Sequence, residues 1–153
     1  MCGFESHRVH YNKGMTMRYP VEVLDEDEDD GTMPESLQNL ADAVIGHRIV
    51  SAENGEGKNQ WGWSSDGLVL TLDNGQKVTL VGNGDCCAYT DIQGFFLDPA
   101  AVDHMILGVG TTGGYTTWHI YADFGDIMRL NVGWSCGNPF YYGYGFDIAV
   151  ESN

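Results

Sequence analysis

A chain of 153 residues with 42% hydrophobic content, six Phe, four Trp and eight Tyr is long and apolar enough to bury the core of one globular domain, which excludes a disordered polymer. Its formal net charge of -15 repels phosphate backbones and argues against nucleic-acid binding, while complementary fields leave basic protein partners open. No apolar run approaches the roughly 18 to 20 residues that span a bilayer, and the opening Met1-Cys2-Gly3-Phe4-Glu5-Ser6-His7-Arg8 lacks the layout of a signal peptide, so a cytoplasmic location without membrane contact is expected.

Residues 1–34 contain Gly3, Gly14, Pro20, Gly31 and Pro34 and no sustained apolar period. Much of the acidity is concentrated there, in Glu22 and the run Asp25, Glu26, Asp27, Glu28, Asp29, Asp30. Such a run repels itself and buries nothing, which predicts a flexible acidic segment ahead of a single β-rich domain over 35–153. It lacks the Asp-x-Asp-x-Asp-Gly order of a calcium loop. Cys2, His7 and His10 are metal donors in type, but no fourth ligand stands nearby.

After Pro34, the residues Leu37, Leu40, Ala41, Val44 and Ile45 follow helical spacing and put one apolar face on a helix from Glu35 to Ile45, with Gly46 as its stop. His47 to Val50 then reads as an entering strand. Residues 53–60, Glu-Asn-Gly-Glu-Gly-Lys-Asn-Gln, read as a loop by composition. Leu68 to Leu72 and Lys77 to Val81 flank Asp73-Asn74-Gly75-Gln76, and Asn-Gly predicts a hairpin with a type I′ turn. Leu68, Leu70 and Leu72 should face the core, with Val78 and Leu80 opposite them.

The segment Gly82-Asn83-Gly84-Asp85-Cys86-Cys87 turns sharply before two adjacent thiols. With Cys2 and Cys136 these are all four cysteines, and their spacing is not that of a disulfide framework, so reduced thiols are expected; a link from Cys86 or Cys87 to Cys136 is the alternative. A thiol opening a short helical turn would have thiolate character. Cys86 or Cys87 with His119 or His104, oriented by Asp123 or Asn138, would be a Cys-His nucleophile pair of the kind that NlpC/P60 hydrolases carry in an Asp-Cys context. Cys86, Cys87, Cys136 and His119 are the matching metal candidates.

Asp98-Pro99-Ala100 has the look of a helix start, with Asp98 at the N-cap. The stretch from Tyr115 to Trp134 shows the clearest alternation: Trp118, Ile120, Ala122 and Phe124 share one parity, and Thr117, His119, Tyr121 and Asp123 the other. This is a half-buried strand, joined at a Gly125-Asp126 turn to a second one. In the last strand Tyr142, Tyr144, Phe146, Ile148 and Val150 share a face, while Gly143 and Gly145 leave grooves on the other. Trp134, Tyr141, Tyr142 and Tyr144 are therefore candidates for a binding surface, as is the acidic run Asp25 to Asp30. The fold class is α+β, β-dominant: a single, mainly antiparallel sheet of about six or seven strands under one covering helix.

The order Gly-Asp-Cys-Cys, Asp-Ile-x-Gly, Thr-Trp-His-Ile-Tyr, Val-Gly-Trp-Ser, Asn-Pro-Phe-Tyr-Tyr-Gly-Tyr and Phe-Asp-Ile-Ala-Val, over roughly residues 66–150, resembles DUF7448, a family of small proteins from bacteria and their phages. The Tyr-Gly-Tyr-Gly ending looks most like versions carried by actinobacterial phages. The resemblance assigns no activity and no cofactor. It implies, by analogy with small acidic phage proteins, a non-enzymatic accessory role: binding a host or phage protein through an acidic, aromatic surface in the host cytoplasm. A small-molecule or zinc-binding module, or a Cys-His hydrolase built on the Asp85-Cys86-Cys87 loop, is the alternative.

Overall fold

The computed structural model describes residues 33–58, 62–84, 89–135 and 145–151. The acidic run, Cys2, His7, His10, Cys86, Cys87, Cys136, Asn138 and Tyr141 to Tyr144 lie outside the described residues.

Helix α1 (Met33–Val44) begins ahead of the expected Glu35, with Pro34 in its first turn, where the missing amide hydrogen costs nothing. Gly46 ends it in the left-handed region at φ 87°. Its buried stripe is Met33, Ser36, Leu40, Ala41 and Val44, so the apolar face is rotated from the expected one; Leu37 is only partly buried and Ile45 is exposed beyond the helix end.

Among the described residues nine strands follow, and they form two antiparallel sheets rather than one. The first holds β1 (Ile49–Lys58), β2 (Ser64–Leu72), β3 (Lys77–Val81) and β9 (Asp147–Glu151), in the order β1-β2-β3-β9. The second holds β4 (Asn83–Gly84), β5 (Tyr89–Leu97), β6 (Gly108–Thr112), β7 (Thr117–Ala122) and β8 (Gly125–Ser135), in the order β4-β5-β8-β7-β6. Accumulated twist makes a pair of packed sheets the usual outcome for this many strands. The chain crosses from one sheet to the other at Gly82, where an added Cβ would stand 2.7 Å from the Thr90 carbonyl oxygen. No side chain fits at that crossing.

Leu68, Leu70, Leu72, Val78 and Leu80 of the first sheet, as expected, share one core with Trp118, Ile120, Met128, Leu130 and Val132 of the second. The helix touches β6 and β9, the edge strands on one side of the two sheets, and so closes that side. Ser36 fastens it there: its hydroxyl donates to the Phe146 carbonyl at 3.1 Å and accepts from the Phe146 amide at 2.8 Å.

Several local expectations change. Residues expected to be loop complete β1 as far as Lys58, because its glycines let the strand lie close over its neighbours. A Cβ at Gly55 would come 2.7 Å from Val69 Cγ2, and one at Gly57 2.6 Å from Val81 Cγ2. The β2–β3 hairpin is as expected, but its turn is not type I′. Gly75 donates to Leu72 O at 3.0 Å and alone in that turn takes positive φ, the pattern of a type I turn followed by a left-handed glycine. Asp98 caps a pair of tight turns instead of a helix, its Oδ1 accepting from the Ala100 amide at 2.9 Å.

The β7–β8 hairpin turns at Asp123-Phe124, with Ala122 opposite Gly125, rather than at Gly125-Asp126. Nor is β7 half-buried: from Trp118 to Ala122 it is buried on both faces. On the face away from the core, Tyr121 lies over Gly108, where a Cβ would stand 2.7 Å from Tyr121 Cζ, and His119 is enclosed by neighbouring polar groups. Among the described residues no helix is long and apolar enough to cross a membrane.

Candidate functional site

Three features of the described surface bear on function. The first is built around His119. In β7 it points away from Trp118 and Ile120, and the pairing shifts between Ile120 and Tyr121, so that Tyr121 opposes Asp126 rather than Ile127. This bulge turns both Ile127 and Met128 into the core and brings Asp126 to the face of His119. Nδ1 of His119 then stands 2.9 Å from Asp126 Oδ2, and Nε2 stands 2.8 Å from Thr112 Oγ1 on β6. An ionised carboxylate only accepts, so Nδ1 carries the hydrogen; in the neutral ring Nε2 accepts from the threonine hydroxyl. His119 is 7% exposed. Arg129 Nε lies 3.9 Å from Asp126 Oδ2, and its guanidinium sits 5.9 Å from the centre of the Phe96 ring.

Chemically this is a row of hydroxyl, imidazole and carboxylate able to hold a proton at a defined nitrogen. Its orienting carboxylate is Asp126; Asp123 is in the exposed hairpin turn, and His104 stacks on Phe124 with ring centres 4.4 Å apart. Asp126 and Thr112 escape sequence reasoning because an evenly alternating pattern hides the bulge that places one, and because the other joins through pairing of β6 with β7. Of the residues expected around a Cys-His or zinc site, His119, His104 and Asp123 are described, and Cys86, Cys87, Cys136 and Asn138 lie outside the described residues. Among the described residues no group of three or more His, Cys, Asp or Glu side chains is placed to hold a metal ion.

Trp134, expected on a binding surface, is half-buried in β8. Its indole N–H donates to Gly114 O at 2.9 Å, and its ring meets Tyr115 edge-on with centres 6.4 Å apart. Trp118 makes the companion bond to Tyr115 O at 3.1 Å. The two indoles thus hold a turn in which Gly113, Gly114 and Tyr115 all take positive φ. Tyr115 is the one non-glycine residue of that kind among those described, a conformation that costs about 1 kcal/mol or more and persists because its buried side chain is locked.

The second feature is a cleft of about 790 Å³ on the side of the two sheets opposite the helix. Asn54, Ser65 and Asp66 line it from the first sheet and Asn83, Asp91 and Gln93 from the second. The third is apolar. Met105, Leu107 and Phe124 are 43%, 52% and 50% exposed where the loop before β6 meets the β7–β8 turn. Leu107 N is tied to Tyr121 O and Gly46 N to Ile106 O, which brings the exposed Ile45 to the same end.

Residues 42–148 match the family model for DUF7448, a domain of unknown function. The chain belongs to this family. The matched region starts within α1, takes in both sheets and ends inside β9, so it reaches further toward the N-terminus than the motifs alone indicated and leaves the acidic run outside. No curated protein and no solved structure matches the chain. The His119–Asp126 pair, the cleft and the apolar end all fall within the DUF7448 region.

Proposed function

We propose that this DUF7448 protein is a non-enzymatic accessory protein, of the type phages carry, that acts in the cytoplasm by binding a host or phage protein through an acidic surface bearing exposed apolar and aromatic side chains. The observation that carries this reading is the apolar end: Met105, Leu107 and Phe124 each leave close to half of a large side chain in water, on a molecule whose net charge is -15. Exposed apolar patches rimmed by charge mark protein-binding surfaces. The acidic field adds encounter rate and preference for basic partners.

The test is capture from bacterial lysate with the tagged full-length chain, at low and moderate salt, beside a Leu107→Ser/Phe124→Ser variant and a variant lacking residues 22–30. One protein held by the native chain and lost with the apolar variant supports the reading. Equal recovery by native and variant chains counts against it.

A second reading, a Cys-His hydrolase, draws on the one part of that pair that is described: an imidazole already oriented by a carboxylate, as a general base requires. It expects Cys86 or Cys87 to react readily with iodoacetamide at neutral pH and to lose that reactivity in His119→Ala. Slow alkylation of both thiols in the native chain would set it aside.

A further inference from the structure

The second sheet ends on its cleft side in a strand that is hardly paired. β4 covers β5 only at Tyr89 and Thr90, so among the described residues Asp91 to Leu97 has β8 on one side and no strand on the other. Across the cleft, β2 is paired with β3 only as far as Gly67, which leaves Ser64 to Asp66 with β1 alone. Ser65 and Asp66 on one edge and Asp91 to Phe95 on the other line the same space, the cleft of about 790 Å³. An unpaired strand edge is a template for another extended chain.

From this arrangement we infer that the free edge of β5 is a docking strand for an extended, basic segment of a partner protein, which adds beside Asp91 to Leu97 as a further strand of the second sheet. The inference rests on the protein-binding reading above and names a surface and a partner chemistry for it. At about 3.3 Å per residue the free edge runs roughly 20 Å, room for a short strand. Gly94 keeps its middle bare, since a Cβ there would find nothing nearer than Asn131 Nδ2 at 3.9 Å.

Charge selects the occupant. Asp66 of the first sheet and Asp91 of the second, both exposed, line the cleft, and no Lys or Arg lines it among the described residues. Side chains of an added strand alternate between faces, so a segment with Lys or Arg at every second position would set those charges on the face of Asp91, away from the core-packed Ile92, and its remaining side chains toward the other face. A second copy of this chain, also at -15, would be repelled before its edge could pair. The bulge at Gln93, between Ile92 and Gly94, further disfavours a long regular pairing of two β5 edges.

The experiment is fluorescence anisotropy of the full-length protein with a labelled short peptide of alternating Lys and Val. Three controls accompany it: the Glu-Val twin, the same Lys-Val peptide N-methylated at alternate residues, and an Asp66→Asn/Asp91→Asn protein. Both aspartates are exposed, so the variant should fold. Saturable binding that weakens at least about tenfold in each control supports the inference. Binding that ignores N-methylation is charge attraction without strand pairing and overturns it, as does no binding at all. A dimer in sedimentation velocity that the Asp66→Asn/Asp91→Asn change strengthens overturns it in favour of a second copy. If lysate capture survives in Asp66→Asn/Asp91→Asn and is lost in Leu107→Ser/Phe124→Ser, protein binding stands and the β5 edge is not its site.

Discussion

His119 has both ring nitrogens engaged within one face of the second sheet, by Asp126 at 2.9 Å and Thr112 at 2.8 Å. Buried polar groups are hydrogen-bonded because an unmade bond costs about 1 to 3 kcal/mol. Asp126→Ala should therefore lower unfolding free energy by about that amount in a urea titration, since it strands the Nδ1–H of a residue with little access to water. Thr112→Val should cost less, because it removes a donor and leaves only a lone pair uncovered. Gly82→Ala addresses the crossing between sheets. Its methyl group would press on the Thr90 carbonyl and on Asp91 Cα at 3.2 Å, and a loss of roughly 1 to 3 kcal/mol is expected from the shift this forces, read as a lower urea midpoint at unchanged slope.

At the scale of elements, the helix is held to the sheets by its apolar stripe and by one polar tie. Ser36→Ala removes both bonds to Phe146 and leaves a buried amide and carbonyl without their partner. A stability loss of about 1 to 3 kcal/mol is expected, together with faster hydrogen exchange of the Phe146 amide relative to the β2–β3 amides. Helix and hairpins were legible in the sequence because each carries its own period. Helical spacing after Pro34 marked α1, and the leucines at 68, 70 and 72 marked the core face of β2. The glycine-rich end of β1 was not legible, because the residues that usually announce a loop serve there to bring a strand within reach of Val69, Thr79 and Val81.

For the whole molecule, two sheets share a core, a helix closes one side and a polar cleft opens on the other. Leu70→Ala, at the centre of that core, should cost about 2 to 5 kcal/mol and unfold both sheets in one transition by circular dichroism and Trp fluorescence, since a single cluster joins them. Partner capture that depends on the acidic field should weaken between low and moderate salt, because exposed charges are screened beyond roughly 10 Å at 0.1 M ionic strength. Loss at the apolar end should be nearly indifferent to salt.

By itself the sequence determined the β-dominant class, the one covering helix, the positions of the main hairpins and membership of DUF7448. Each of these is written in local alternation, helical spacing or motif order, which survive without knowledge of what packs on what. Only the tertiary structure decided the split into two sheets at Gly82, the bulge that swings Asp126 to His119, and the β5 edge beside the cleft that no other strand covers among the described residues. These depend on how closely two backbones approach and on which strands lie beside one another, and distant pairing leaves no period in the chain.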